Sequence, residues 1–274
     1  MLGASRTSLT QARTRLHELS STSPAEVGTL STDLLGVVEL LVRELPLRRA
    51  LADPSTPVQA KTGLLGALLG DRVSPATLGF LTELVSSRWS RPRDLVDAVE
   101  TLGVLAAFEQ AQADGSLDDV EDELFRFSRI VERESALREV LGDQTQSTER
   151  RQALLTGLLD GKVSPVALRV IVAATLQTHG RRPLVEALDA FAKLAAELRE
   201  RLNARVTVAV APDPEQLERL AAGLGRVYGR PVGLRVEVDP ELVGGLVIRI
   251  GEQILDASIT RRLDLARRGL AEQH

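Results

Sequence analysis

Val73-Ser74-Pro75 returns as Val163-Ser164-Pro165, 90 residues further along the chain. The same offset relates Leu47-Arg48 to Leu137-Arg138, and Leu51 with Asp53 to Leu141 with Asp143. It also relates Leu64-Leu65 and Leu68-Leu69 to Leu154-Leu155 and Leu158-Leu159. After a slip of a residue or two, Arg91-Pro92 followed by Leu95-Val96 meets Arg182-Pro183-Leu184-Val185. The matches fall on apolar and capping positions, which decide where elements start and which face they bury. The period is too long for stacked two-helix repeats. A duplicated domain is implied.

Each copy reads as helices. Ser74 and Ser164 are suited to accept from the first free backbone N–H groups of a helix. Pro75 and Pro165 then take the first helical position, where a missing N–H costs little. Leu184, Leu188, Phe191, Ala195, Leu198 and Leu202 recur at spacings of four and three, one apolar stripe of an amphipathic helix. Leu117, Val120, Leu124, Phe127 and Val131 do the same in an earlier helix, and Ser116 with Asp119 forms a capping-box-like start before an acidic first turn. Aromatic residues are only 3% of the chain, so the core is built from Leu, Val and Ala, which favours helices over a β-sandwich.

The helix from about Arg93 to Ala113 closes the first copy and opens the second. Its counterpart at the start is Ser8 to Leu19, followed by a Ser20–Pro24 linker. The expected organisation is a first helical bundle over 1–112 and a second over 93–203 that shares this helix. The two bundles abut.

After Asn203 the texture changes from helical to alternating. Val206, Val208 and Val210 share one face of a strand, with Thr207 and Ala209 on the other. Asp213 is placed to cap a helix whose first residue is Pro214 and whose apolar side carries Leu217, Leu220, Leu224 and Val227. Gly229-Arg230-Pro231 stops that helix, and Leu234, Val236 and Val238 alternate as a second strand. Paired Gly244-Gly245 suit positive φ or a close backbone approach before strands over Leu246–Ile250 and Gln253–Asp256, with Gly251 at the hairpin turn. Ser258 is positioned to cap a last helix, whose Arg267 and Arg268 suit its negative end. Residues 204–274 therefore read as a small α/β module of order β-α-β-β-β-α. The fold class is mainly α: two duplicated, abutting helical bundles followed by this module.

Several function classes are disfavoured. With 34 basic and 38 acidic residues the chain lacks the basic excess of a nucleic-acid binder. It has no cysteine, so disulfides, thiolate-metal sites and cysteine nucleophiles are excluded. The start of the chain has no apolar core of a secretory signal, and no run approaches the ~18 apolar residues of a membrane span. The reading is a soluble, cytosolic chain.

No group of residues converges on chemistry. Gly63-Leu-Leu-Gly66-Ala-Leu-Leu-Gly70 lacks the Lys-Ser/Thr of a phosphate loop and follows no strand, so its glycines are read as serving close helix packing. Gly223-Leu-Gly225 is read as a helix-end pair. His17, His179 and His274 are scattered without the spacing of a zinc site. Asp118, Asp119, Glu121, Asp122 and Glu123 fan around a helix and read as a solvated face. Arg88, Arg91 and Arg93, echoed by Arg181 and Arg182, are either helix-end charge or contacts for an acidic partner. Arg261 and Arg262 gain nothing from the helix dipole and are candidates for a partner contact. Trp89 is read as packed between helices, with an interface anchor as the alternative. No catalytic, cofactor or metal residue is assigned.

Glu241-Leu-Val-Gly-Gly-Leu-Val-Ile-Arg-Ile-Gly-Glu-Gln-Ile-Leu-Asp-Ala-Ser-Ile-Thr-Arg-Arg-Leu263 resembles the closing motif of the delta subunit of F-type ATP synthases, the oligomycin-sensitivity-conferring protein family. Ala106-Ala-Phe-Glu-Gln-Ala111 and Gly115 to Leu124 resemble that family's opening helices, and Gly229-Arg-Pro231 belongs with its C-terminal domain. Ala257 departs from the glycine frequent in the family at that place. The stretch from about Arg93 onward matches the family in length and order, and the segment before it resembles the extra copy of lengthened bacterial forms. The resemblance implies a non-catalytic stator. Its helical domain would grip the N-terminal helices of α subunits on the catalytic hexamer, and its C-terminal domain would meet the tail of the b subunits. It implies no cofactor and no nucleic acid. Membrane contact would be indirect, through the complex at the cytoplasmic face of a bacterial plasma membrane. The alternatives are a helical DNA-binding regulator, using the Ser74-Pro75 or Ser164-Pro165 helices, and another protein–protein adapter.

Overall fold

The computed structural model describes residues 3–143, 146–176, 183–228, 232–239, 242, 244–250 and 253–256. The chain divides into two compact units, Met1–Ala195 and Ala196–His274. The first copy comprises α1 (Gly3–Thr22), α2 (Pro24–Arg43), α3 (Leu45–Ala52), α4 (Val58–Leu69), α5 (Pro75–Ser86) and α6 (Pro92–Ala113). The second continues with α7 (Leu117–Arg133), α8 (Ser135–Gly142), α9 (Thr148–Leu159), α10 (Pro165–Leu176) and α11 (Leu184–Leu202). The bounds of α8, α9 and α10 lie 90 residues beyond those of α3, α4 and α5, so the sequence repeat is a repeat of elements.

The axis of the helical unit is α6. It packs against α1, α2 and α3 from the first copy and against α7 and α10 from the second. Leu95, Val99, Leu102, Ala106 and Phe108 are all buried, so its faces are covered nearly all round rather than along one stripe. Each fully buried large side chain there contributes roughly 1.5–3 kcal/mol relative to exposure. The contact with α2 is close because glycines remove the intervening side chains. A Cβ on Gly103 would lie 2.9 Å from Leu35 Cδ2, and one on Gly28 would lie 2.8 Å from Gln110 Oε1. Ser31 Oγ donates to the Gly103 carbonyl at 2.8 Å across the same crossing.

Several local expectations are corrected. α1 extends through Thr22, so Ser20 and Ser21 are helical rather than linker, and Ser20 is buried. Ser74 and Ser164 do cap, accepting from Thr77 N at 3.1 Å and Ala167 N at 3.2 Å. Ser116 does not. Gly115, at φ +71°, ends α6 in a left-handed turn, with Ser116 N donating to Ala111 O and Gly115 N to Gln112 O. The Ser116 hydroxyl follows its own backbone and turns back toward Ala111 O instead of forward into α7. The glycines of α4 do not serve close packing either: nothing approaches within 4 Å of a Cβ built at Gly63 or Gly66.

The second unit holds β1 (Asn203–Val208), α12 (Pro214–Tyr228), β2 (Gly233–Val238), β3 (Leu246–Ile250) and β4 (Gln253–Asp256) in one sheet of order β2-β1-β3-β4. β1 runs parallel to β2 across the α12 crossover and antiparallel to β3, which forms a hairpin with β4. Its core is Ala204, Val206, Val208, Leu224, Val232, Ile248 and Ile250. Val210 is 78% exposed: β1 starts earlier than its valines suggest and ends at Val208. On α12 the apolar side runs from Leu220 and Leu224 to Tyr228, whose hydroxyl donates to Gln253 Oε1 at 2.9 Å, while Val227 points to solvent. Asp213 caps as expected, accepting from Gln216 N at 2.7 Å and donating its own N–H to Gln216 Oε1 at 3.2 Å. Gly245 takes φ +83° before β3. The expectations for Gly229-Arg230-Pro231, Gly251, Ser258 and the last helix lie outside the described residues.

Candidate partner-docking surfaces

Among the described residues no group of three His, Asp or Glu side chains is placed to hold a metal ion. His17 Nδ1 lies 3.0 Å from Oε1 of the buried Glu109, whose Oε2 accepts from Ser20 Oγ at 3.0 Å. Asp94, also buried, accepts from Ser5 Oγ at 2.8 Å. These polar pairs fasten α1 to α6. Trp89 is buried and its indole N–H donates to Leu84 O at 2.7 Å, so it is a packing residue rather than a surface anchor. His179, His274, Arg181, Arg182, Arg261 and Arg262 lie outside the described residues.

The duplication extends to polar groups that sequence reading passed over. Asp33 Oδ2 accepts from Ser74 N at 2.9 Å and from Thr77 Oγ1 at 2.8 Å. In the second copy Glu123 accepts from Ser164 N at 3.0 Å and from Ser164 Oγ at 2.7 Å. Both carboxylates sit 41 residues before the serine they hold. Each places a negative charge at a helix N-terminus, where the dipole favours it. Glu123 thus leaves the solvated acidic face and becomes a cap.

Buried cations recur in the same way. Lys61 donates to Val85 O at 3.3 Å, and Arg151 lies against Leu141 O and Thr148 Oγ1. Burial lowers the pKa of both, opposed by the neighbouring charge of Asp53 for Lys61 and of Asp143 for Arg151. A search at the 90-residue offset for charged rather than apolar matches would have found all of these residues.

The two copies meet where α10 crosses α2. Arg169, whose pKa is lowered by burial, donates through one NH group to Gly28 O at 3.3 Å and Gln110 Oε1 at 3.2 Å. That single side chain ties α10 to α2 and α6. Beside it opens a cleft of about 310 Å³. Leu35, Leu168, Val172 and Leu176 form its apolar walls, Gly36 lies along one side, and Glu39 and Gln152 stand with Arg169 as its polar groups. Elsewhere Phe125 is 63% exposed on α7, under the Arg129 guanidinium at 5.9 Å. Leu68 and Leu158 are exposed at matching positions of α4 and α9. In the α/β unit, Ile254 and Leu255 of the edge strand β4 are about half exposed. Such apolar patches on a non-catalytic chain point to protein contacts.

The model of the ATP synthase delta (OSCP) subunit family matches residues 104–270. The chain belongs to this family. It is 44% identical to ATP synthase subunit delta of Streptomyces griseus over 271 residues, 99% of this chain and 100% of that one. To the Thermobifida fusca subunit delta it is 43% identical over 271 residues, again 99% and 100% of the two chains. The Frankia casuarinae subunit delta is 41% identical over 278 residues, covering 98% and 99%. A chain of the Toxoplasma gondii mitochondrial ATP synthase hexamer is similar at 19% identity and a TM-score of 0.33, over 63% of this chain and 97% of that one, too distant to carry fold or function. Membership makes this delta-family chain a structural component of the ATP synthase peripheral stalk, with no catalytic role of its own. No described helix is long and apolar enough to cross a membrane, so its place in the complex is peripheral. Nothing supports the DNA-binding alternative.

Proposed function

We propose that the chain links the catalytic hexamer to the b subunits at the cytoplasmic face of the plasma membrane and resists rotation of the hexamer while the central shaft turns. The helical unit engages the N-terminal helices of α, and the α/β unit engages the tail of b. In this reading residues 93–203 are the delta N-terminal domain, 1–112 the added copy and 204–274 the C-terminal domain. The observation that carries it is the family match beginning at residue 104, inside α6, and running through both compact units. A stator needs two separate adhesive surfaces, and amphipathic helices laid into grooves are a stiff way to provide them.

The chain's lack of cysteine makes the test direct. Single cysteines at Leu158 on the helical unit and Ile254 on the α/β unit, in the full chain, are crosslinked within the assembled synthase. The expected products join position 158 to α and position 254 to b. Crosslinks from both positions to the same subunit would refute the two-ended arrangement.

A further inference from the structure

The cleft beside Arg169 exists only because the chain carries two copies. One wall, with Leu35, Gly36 and Glu39, is α2 of the first copy; the other, with Leu168, Val172 and Leu176, is α10 of the second. The opening helix of the second copy, α6, offers no free face of its own, since α1, α2, α3, α7 and α10 all pack on it. Its place as a groove wall is taken by α2.

The cleft's chemistry selects an occupant. Its walls are apolar, so it receives apolar side chains. Glu39 stands at its edge, partly buried, with no hydrogen-bond or ion-pair partner among the described residues. The guanidinium opposite is already committed to Gly28 O and Gln110 Oε1. The unanswered charge is therefore negative. Gly36 keeps α2 low there: nothing lies within 4 Å of a Cβ at that position, and glycine in a helix interior is disfavoured by roughly 1 kcal/mol relative to alanine.

We propose that this composite cleft between α2 and α10 is the seat of one α-subunit N-terminal helix, an amphipathic segment presenting apolar anchors and a basic residue to Glu39. The extra copy thereby supplies half of a docking groove rather than a spacer. The proposal rests on the stator reading above and deepens it.

The test uses the full-length chain and a labelled synthetic peptide of the α-subunit N-terminal segment, with affinity read by fluorescence anisotropy. Gly36→Phe fills the cleft from the side where a side chain meets nothing, and weakens binding by about thirtyfold or more, as expected for occlusion of a central anchor pocket. Glu39→Lys weakens it by about tenfold, and a peptide whose basic residues are changed to glutamate recovers that loss. Gly63→Phe, at an equally open glycine on α4, leaves affinity unchanged. Wild-type binding with unaltered affinity in Gly36→Phe and Glu39→Lys overturns the cleft while leaving the stator reading standing. A wild-type chain that does not bind the peptide overturns both.

Discussion

Replacing Gly103 by alanine should lower the stability of the helical unit, whereas the same change at Gly63 should raise it. Both glycines lie inside helices, so each substitution gains roughly 1 kcal/mol of helix propensity. At Gly63 nothing lies within 4 Å of the new methyl, and the gain is kept. At Gly103 the methyl would stand 2.9 Å from Leu35 Cδ2, 3.0 Å from Leu35 Cγ and 3.3 Å from Leu34 Cβ. The end of Leu35 can rotate away, but Leu34 Cβ moves only with α2 itself. Overpacking of this kind costs about 1–3 kcal/mol, which turns the gain into a net change between about zero and a 2 kcal/mol loss. The separation between the variants is therefore about 1–3 kcal/mol, or some 2–12 °C in Tm for a unit of this size. Urea unfolding followed by Trp89 fluorescence measures it on the right unit, because the only tryptophan is buried in the helical bundles and the only tyrosine, Tyr228, lies in the α/β unit. An equal rise in midpoint for both variants, with unchanged m, would refute the claim that glycine sets the α2–α6 approach.

Further expectations concern the duplicated polar groups and the second unit. Asp33→Ala and Glu123→Ala should each cost about 1–3 kcal/mol, by removing a charged acceptor from the N-terminus of α5 or α10; a double-mutant cycle of Asp33 with Ser74 should show coupling, and strict additivity would count against the pairing. Lys61 has a folded pKa below the ordinary lysine value of 10.5, so the unfolded chain binds more protons in the alkaline range and stability rises as pH approaches 10.5. Lys61→Met should abolish that rise in urea midpoints between neutral and alkaline pH, and its persistence would assign the effect to another group. Asp213→Ala should destabilise the α/β unit by about 0.5–2 kcal/mol through loss of the reciprocal cap of α12. Tyr228 fluorescence during urea unfolding would detect it, and an unshifted transition would refute the cap's contribution.

The architecture was legible because apolar spacing and proline position are local signals. Pro75, Pro165 and the stripe from Leu184 to Leu198 set their helices without help from distant residues. What escaped were features decided between elements. Nothing near Asp33 or Glu123 in sequence announces that a helix 41 residues later will deliver an N-terminus to it, and the change from aspartate to glutamate disguises the repeat. Gly28 and Gly103 resemble Gly63 and Gly66 as letters, yet only the first two face another helix. Ser116 misled because Gly115 before it ends one helix in the conformation that turns the hydroxyl away from the next. At the docking surfaces the limit was sharper. Leu35, Gly36 and Glu39 read as one more amphipathic turn of α2, and their meeting with Leu168 and Val172 is a property of the assembled bundles. The negative findings, by contrast, followed from composition, since a chain without cysteine leaves thiolate chemistry no place to occur.

The crowding around α6 has a consequence for how such a chain changes over generations. Leu95, Leu102, Ala106 and Phe108 now sit in oil supplied by neighbours from either side. A gene shortened by its first ninety codons would inherit that greasy rod with one flank wet. Doubling was therefore a one-way step: each half has come to insulate the other, and neither can be discarded singly without re-lettering the survivor's surface.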